Sequence, residues 1–246
     1  MSNLLLNPIT YAVIAALLPV ALLLFYIYRQ DSAQPEPARW LWKGVWYGIL
    51  SAVLVLLVVG IASLAFPMPS LEGTVLGAII DAFLGAAIPE EAAKFLMLWL
   101  LLRKNPYFDE HLDGIVYATC VGLGFAGLEN VFYVVGNIES LVSIAVVRGL
   151  FSVPGHFFFA VTMGYFFSLA YFKSKTEEER KRYCLMALFV PMGLHGIFDM
   201  LLMFSSVEES LAGLCIMVFL YFVNNLRKKG QEKIQELKLL DEYPNI

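Results

Sequence analysis

The chain has 246 residues, of which 59% are hydrophobic and 15% are charged, and its mean hydropathy is +0.71. A soluble domain of this length needs far less apolar surface, so the composition excludes an ordinary globular protein. The net charge of -4 is small, and no basic patch indicates binding to nucleic acid. The predicted fold class is an all-α, polytopic transmembrane helix bundle embedded in a lipid bilayer.

Seven apolar segments follow one another along the chain, which predicts about seven membrane spans. No Lys or Arg precedes the first segment, so we interpret it as a retained span and not as a cleaved signal peptide. The segments lie at about residues 8–28, 44–66, 74–102, 114–136, 142–172, 183–204 and 211–226. We expect one membrane domain over residues 1–246, with two N-terminal spans in 1–66 and a charged tail at 227–246.

The basic residues divide the connections between these segments into two alternating groups. Every second connection is rich in Lys and Arg, and the connections between them contain none. Of the 17 basic residues, 15 lie in residues 29–43, 103–112, 173–182 and the tail from Arg227. Basic connections remain in the cytoplasm, so the pattern predicts an N-terminus outside and a cytoplasmic C-terminus. The tail is predicted to form a short charged helix at the membrane surface.

The third segment carries two adjacent carboxylates, Glu90 and Glu91, with Lys94 one helical turn later. Insertion of each charge into a bilayer costs about 2.5 to 3.5 kcal/mol, and chains that tolerate this cost use the groups for chemistry or transport. The spacing from Glu90 to Lys94 suits an ion pair, and Glu91 is rotated by about 100° from it. Glu91 is therefore the freer candidate for a general base, although the alternative is an ion pair that only holds helices together. Pro89 predicts a break or the start of a half-helix.

The fourth and fifth segments contain further polar residues. Glu129 follows several glycines that allow close helix approach, and it needs a partner, a metal or an interhelical hydrogen bond. Arg148 and His156 share one face of the fifth segment if its helix is unbroken, although Pro154 predicts a kink. We expect Arg148 to pair with a carboxylate, and His156 is either part of a site or a structural group.

The sixth segment contributes His195 and Asp199, four residues apart and therefore on one helix face. Asp199 can orient the imidazole, both can bind one metal ion, or they can form a simple packing hydrogen bond. At ~1.5 Å per residue, Glu90 and His195 lie about 18 Å from the cytoplasmic end, Glu129 about 22 Å, and His156 and Asp199 about 24 Å. This common depth predicts one polar site assembled from four spans.

Such a site has the groups needed to hydrolyse an amide. A buried carboxylate can take a proton from water, and histidines can orient that water, stabilise an oxyanion or hold Zn²⁺. No HExxH motif is present, and Cys120, Cys184 and Cys215 are interpreted as small apolar residues. A proton-coupled transporter would also use intramembrane Glu, His and Lys, but no inverted repeat is evident. A non-catalytic membrane scaffold is the third interpretation.

These motifs together resemble those of the PrsW family of intramembrane proteases, and more remotely the CAAX-protease and bacteriocin-immunity membrane protease superfamily. The similar stretches within a core of about residues 75–205 are EEAAK (90–94), FAGLEN (125–130), residues 148–156 and HGIFD (195–199). The resemblance implies a multi-pass endopeptidase of the bacterial cell membrane that cleaves a membrane-anchored protein near the outer face. An anti-sigma factor, cut in the first step of stress signalling, is the expected substrate class.

The resemblance also implies roles for individual residues. The implied catalytic residues are Glu90, Glu91, His156 and His195. The implied supporting residues are Lys94, Glu129, Arg148 and Asp199. If a metal such as Zn²⁺ is bound, its expected ligands are His156, His195, Glu129 and Asp199. A metal-free mechanism, in which a glutamate activates water directly, is the alternative.

Overall fold

The computed structural model describes residues 8–31, 34–65, 71, 73–207 and 209–243. The described residues are almost entirely helical and contain no strand, which confirms the all-α fold class. The helical segments are α1 (Pro8–Gln30), α2 (Ala38–Ala65), α3 (Val75–Ile80), π1 (Asp81–Ala87), α4 (Ile88–Leu102), α5 (His111–Gly136), α6 (Leu141–Val147), π2 (Arg148–Ser152), α7 (Val153–Ser168), π3 (Leu169–Lys173), α8 (Glu177–Val207) and α9 (Ala212–Glu242).

Five helical stretches in the described part of the chain are long and apolar enough to cross a membrane. They are Ile9–Gln30, Ala38–Ala65, His111–Gly136, Leu141–Lys173 and Glu177–Ser205. These stretches support a multi-pass helical membrane protein. The count of seven spans and the sides on which the termini lie stay predictions, and parts of the connections at 67–73 and 205–210 fall outside the described residues.

Helix α5 lies at the centre of the bundle and contacts α1, α2, α4, α7 and α9. Its approach to α2 is so close that glycine is required on both helices. A Cβ atom on Gly48 would lie 2.0 Å from the carbonyl oxygen of Val121, and one on Gly124 would lie 2.2 Å from that of Val45. The glycines thus let two backbones meet directly, as small residues do in membrane helix pairs.

The prolines at the starts of α4 and α7 each follow a π-helical segment. π1 ends directly before α4, in which Pro89 is the second residue, and π2 ends directly before α7, in which Pro154 is the second residue. Proline removes a backbone donor and clashes with the carbonyl four residues earlier, and a wider π turn accommodates both effects. The expected break at Pro89 and kink at Pro154 therefore take the form of π segments within continuous helices.

The charged tail belongs to α9, which runs unbroken from Ala212 to Glu242. Ile234 and Leu237 in this extension are fully buried, and they pack in the same core cluster as Leu112 of α5. Near its end, Asp241 accepts hydrogen bonds from the backbone N–H groups of His111 and Leu112, each at 2.8 Å. The charged tail is therefore helical, as predicted, but it continues α9 and buries an apolar stripe against α5. Its place at the membrane surface stays a prediction.

Candidate active site

The first turns of α4 bring Glu90, Glu91 and Lys94 together, and all three side chains are buried. The Lys94 Nζ lies 3.2 Å from Glu90 Oε2 and 2.8 Å from Glu91 Oε1. The expected pair of Glu90 with Lys94 is confirmed, but the expectation that Glu91 is free is wrong, because residues three and four positions apart both neighbour Lys94 on a helix. Glu91 is fully buried and Glu90 is 8% exposed, so Glu90 is the more accessible carboxylate.

His195 of α8 lies between two carboxylates. Its Nδ1 is 2.9 Å from Glu91 Oε1, and its Nε2 is 3.2 Å from Asp199 Oδ2. Since both ring nitrogens face acceptors, the arrangement favours the doubly protonated imidazolium. The ring also stacks on Phe159, with centroids 4.8 Å apart. This contact confirms the prediction that His195 and Asp199 lie on the same face of one helix.

His156 of α7 has a different environment. Its Nδ1 lies 3.1 Å from Lys94 Nζ, and its Nε2 lies 2.9 Å from Glu129 Oε2. The Lys94 ammonium can only donate, so Nδ1 accepts that hydrogen bond and Nε2–H donates to Glu129. These contacts favour a neutral tautomer of His156, whereas those of His195 favour the doubly protonated ring.

Arg148 binds the same oxygen of Glu129 that His156 contacts. Its Nη2 donates to Glu129 Oε2 at 2.9 Å, and its Nε donates to Asn130 Oδ1 at 2.9 Å. Asn130 in turn donates to the carbonyl oxygen of Ala16 on α1 at 2.7 Å. The prediction that Arg148 pairs with a carboxylate is confirmed. Sequence reasoning gave Asn130 no role, although its place directly after Glu129 was the available signal.

The predicted site residues thus form one connected network. Contacts link the glutamate doublet and Lys94 to both histidines, and link the histidines to Glu129, Arg148 and Asp199. The expectation of one polar cluster assembled from four spans is confirmed for these residues. The roles of its members in catalysis stay predictions.

A cavity of about 410 Å³ reaches this cluster between α2, π1 and α5. Glu90 and Glu129 line the cavity, whereas Glu91 does not. Its other lining residues are apolar or aromatic, and they are Ala52, Val55, Leu56, Val59, Gly60, Gly85, Phe125, Phe132 and Tyr133. The cavity therefore makes Glu90 accessible along a largely apolar wall.

Four residues of the cluster have the donor types of a metal site. Ligand atoms of Glu90, Glu91, His156 and His195 lie within 4.8 Å of one another, and two imidazoles with two carboxylates are a zinc-type set. This set includes the two histidines that were predicted as ligands. Its carboxylates are those of the glutamate doublet, whereas Glu129 and Asp199 were the predicted carboxylate ligands. Those two carboxylates instead contact the outer nitrogen of each histidine.

The present arrangement does not fit a metal ion, because the donor atoms already have other partners. The Lys94 ammonium contacts three of the four residues, and His195 faces a carboxylate with each nitrogen. A metal ligand must offer a free lone pair, which neither His156 Nδ1 nor a protonated His195 provides here. Metal binding would therefore require Lys94 to move.

A multi-pass helical bundle with a buried glutamate–histidine cluster, reached by an apolar cavity, is the arrangement expected of a membrane-embedded hydrolase. Comparison with known proteins specifies that class. The model of the family described as "PrsW family intramembrane metalloprotease" matches residues 36–224. The chain belongs to the PrsW family of intramembrane proteases, which confirms the resemblance. No solved structure matches the chain.

Curated bacterial relatives support the same conclusion. The chain is 31% identical to Protease PrsW of Clostridioides difficile (strain 630), with 89% of each chain covered. It is 36% identical to Protease PrsW of Geobacillus kaustophilus (strain HTA426), covering 77% of this chain and 78% of the relative. It is 33% identical to Protease PrsW of Bacillus subtilis (strain 168), covering 78% of this chain and 83% of the relative. The chain is accordingly a multi-pass bacterial membrane protease, and these relatives do not favour the transporter or scaffold interpretations.

Proposed function

We propose that the protein hydrolyses a peptide bond in a membrane-anchored substrate, with Glu90 as the base that activates water. The observation that carries this proposal is the difference between the two adjacent glutamates. Glu90 lines the cavity, whereas Glu91 is fully buried and is held by Lys94 and His195. A general base must reach the water whose proton it takes, and Glu90 alone of the pair has such access.

The proposed reaction proceeds in two stages. Glu90 takes a proton from water, and the resulting hydroxide adds to the carbonyl carbon of the scissile peptide bond. The carbon–nitrogen bond then breaks, and Glu90 returns the proton to the departing amine nitrogen. The products are a carboxyl group and an amine, and Glu90 returns to its starting state.

Positive charge beside Glu90 stabilises the negative oxygen that develops during this addition. The Lys94 Nζ lies 3.2 Å from Glu90 Oε2, and the His195 Nδ1 lies 4.0 Å from the same atom. Glu91 and Asp199 hold His195 in place, and His156 accepts a hydrogen bond from Lys94. Fixed charges in a water-poor site act strongly on a transition state, so this arrangement suits an oxyanion.

A zinc-dependent reaction is the second candidate, and the four-residue donor set favours it. After Lys94 had moved away, Glu90, Glu91, His156 and His195 would hold the ion. A bound Zn²⁺ would supply an activated water and polarise the substrate carbonyl. The contacts of Lys94 with three of these residues support the metal-free reaction instead.

The substrate class and the topology complete the proposal. The family resemblance supports a membrane-anchored anti-sigma factor as the substrate, cut near the outer face in the first step of stress signalling. The alternation of basic connections supports seven spans with a cytoplasmic C-terminus. Residues 75–205 then form the protease core within one membrane domain.

Co-expression with a panel of doubly tagged single-span membrane proteins, including anti-sigma factors, tests this function. The wild type and the exposed control Glu139→Gln are expected to produce the same two fragments of one panel member. Glu90→Gln is expected to produce none at an equal membrane level, and Glu91→Gln is expected to keep part of the activity. Full cleavage by Glu90→Gln would rule out its role as the base. If Glu91→Gln lost cleavage and Glu90→Gln kept it, Glu91 would be the base and not Glu90.

A further inference from the structure

A cavity of about 240 Å³ lies between α4, π3 and α8, at the end of the bundle where the chain leaves α4. We call it the arginine cavity, because Arg103 and Arg180 line it. Glu90 is near the start of α4 and Arg103 directly follows its end, so most of this 15-residue helix, about 20 Å, separates them. The arginine cavity is therefore distinct from the cavity that reaches the active site.

The charged groups of the arginine cavity lie at one end of it. Arg103 directly follows α4, and Arg180 is in the first turn of α8. No Asp or Glu is among the described residues that line the cavity. Glu177 pairs with Arg180 at the surface, whereas no carboxylate of the described residues forms an ion pair with Arg103 within 4.0 Å. This end of the cavity therefore complements an anionic group.

The other end of the arginine cavity is apolar. Phe95 and Leu102 of α4 line it together with Phe167 of α7. Phe95 precedes Arg103 by about two helical turns, so the apolar wall extends about 12 Å along α4 from the charged end. The rings of Phe95 and Phe167 meet edge to face, with centroids 6.1 Å apart. A molecule that fits both ends is amphiphilic, with a negative group joined to hydrocarbon.

Exposed aromatic side chains indicate that the charged end lies at the membrane surface. Trp99 and Tyr171 line the cavity and are 45% and 64% exposed. The Arg103 guanidinium lies 4.7 Å from the centroid of the Trp99 ring. Trp and Tyr are enriched where a bilayer meets water, which is the depth of lipid headgroups. The alternation of basic connections predicts the cytoplasmic leaflet, whose surface is negatively charged by its lipids.

We propose that the arginine cavity binds one anionic phospholipid, with its phosphate between Arg103 and Arg180 and part of one acyl chain along Phe95 and Phe167. Guanidinium groups bind phosphate oxygens through paired hydrogen bonds, and an added choline cation would be repelled by two arginines. Sites that enclose a whole small molecule measure about 300 to 1,000 Å³, so most of the lipid would remain in the bilayer. The lipid would contact α4 and α8, which carry the glutamate doublet and His195.

Thermal unfolding of the purified, delipidated full-length protein in a neutral detergent tests this site. The protein is titrated with phosphatidylglycerol, with phosphatidylcholine of the same acyl chains, and with glycerol 3-phosphate. All titrations contain NaCl at about 0.15 M, which screens diffuse attraction between charges. We expect phosphatidylglycerol to cause a saturable rise in Tm of a few degrees, because a ligand that binds only the folded state stabilises it. The other two compounds should cause at most a small part of this rise.

Two double variants with the same change of charge separate this site from general attraction to a negative surface. Arg103→Gln/Arg180→Gln is expected to lose the rise. Lys104→Gln/Lys181→Gln is expected to keep it, because these neighbouring residues do not line the cavity. All four side chains are exposed, and substitutions at such positions seldom prevent folding. No rise in the wild type, or an equal rise in both double variants, would overturn the proposal.

A further pair of variants tests the place of the acyl chain. Cys184 lines the cavity, whereas Leu185 does not and is exposed. Cys184→Trp fills part of the cavity and should raise the phosphatidylglycerol concentration at half of the Tm rise by at least about 10-fold. Leu185→Trp should leave this concentration unchanged, and equal values for both variants would contradict the proposal. An equal rise of the wild type with phosphatidylcholine or with glycerol 3-phosphate would likewise overturn it, because the site would then not require an anionic lipid.

Discussion

The ammonium nitrogen of Lys94 lies 3.1 Å from Nδ1 of His156. A lysine that donates to a histidine ring nitrogen occupies the lone pair with which that nitrogen would bind a metal. The same ammonium contacts both glutamates of the doublet. The chain therefore places its own cation where the metal-type donors converge, and this cation pairs with one oxygen of each glutamate.

Metal removal is accordingly expected to leave proteolysis intact. The purified protein is treated with a zinc-selective chelator. Elemental analysis and cleavage of a tagged substrate are then measured on the same sample. We expect full activity with well under one equivalent of transition metal per chain. Stoichiometric zinc that disappears together with activity would instead establish the zinc-dependent reaction.

Arg148 is expected to act as a positioning residue. Its guanidinium donates to Glu129 and Asn130 at once, and lysine cannot reproduce this planar fork. In Arg148→Lys, Glu129 is held less firmly and His156 loses its fixed partner. A displacement of about 1 Å can reduce a rate by about 100-fold, so we expect kcat to fall by roughly 10-fold to 100-fold. KM should change little.

Steady-state kinetics of Arg148→Lys, Arg148→Gln and the exposed control Arg227→Lys test this role. The lysine variant should retain more activity than the glutamine variant, because it keeps the charge. The pH dependence of kcat should also change in both, since Glu129 contacts His156. Equal kcat in all three variants, or a change confined to KM, would contradict a positioning role.

The sequence predicted which residues form the polar cluster, because helical spacing and depth in the membrane can be counted along each span separately. His195 and Asp199 lie four residues apart, and their contact follows directly from the helix period. The pair of Glu90 with Lys94 follows from the helix period as well, but the contact of Glu91 with His195 was not predictable in this way. Glu91 is held by His195 of α8 as well as by Lys94, and only the packing of α8 against α4 creates that contact.

The contacts at the start of α5 were also not predictable from the sequence, because the carboxylates of Asp31 and Glu36 lie near that of Asp113 although these residues are far apart in the chain. Asp31 and Glu36 lie in a connection, and Asp113 lies at the start of a helix about 80 residues later. No periodic pattern relates these positions, so their convergence comes from the packing of α1 and α2 against α5. The π segments were also missed, because proline predicts a distortion without specifying its geometry.

The cavity between α2 and α5 is expected to be the route of the substrate to Glu90. Val59 lines this cavity, whereas the neighbouring Val58 does not and is exposed. Val59→Trp should fill part of the cavity and reduce cleavage of a membrane-anchored reporter by at least about 10-fold, a barrier increase of about 1.4 kcal/mol. Val58→Trp adds the same side chain to the outer surface of α2 and should leave cleavage unchanged. Equal rates for both variants would mean that the substrate reaches Glu90 by another path.

The close packing of α2 on α5 is expected to depend on Gly48. A Cβ atom there would lie 2.0 Å from the Val121 carbonyl oxygen and 2.8 Å from the Phe125 backbone nitrogen, and neither backbone atom can move aside alone. Gly48→Ala should therefore separate the helices and reduce the free energy of unfolding by about 1 to 3 kcal/mol, as overpacking typically does. Gly60→Ala is the matched control on the same helix, because its Cβ would meet nothing within 4 Å. Thermal unfolding of both variants in detergent measures the difference, and an unchanged Tm for Gly48→Ala would show that α2 can shift without cost.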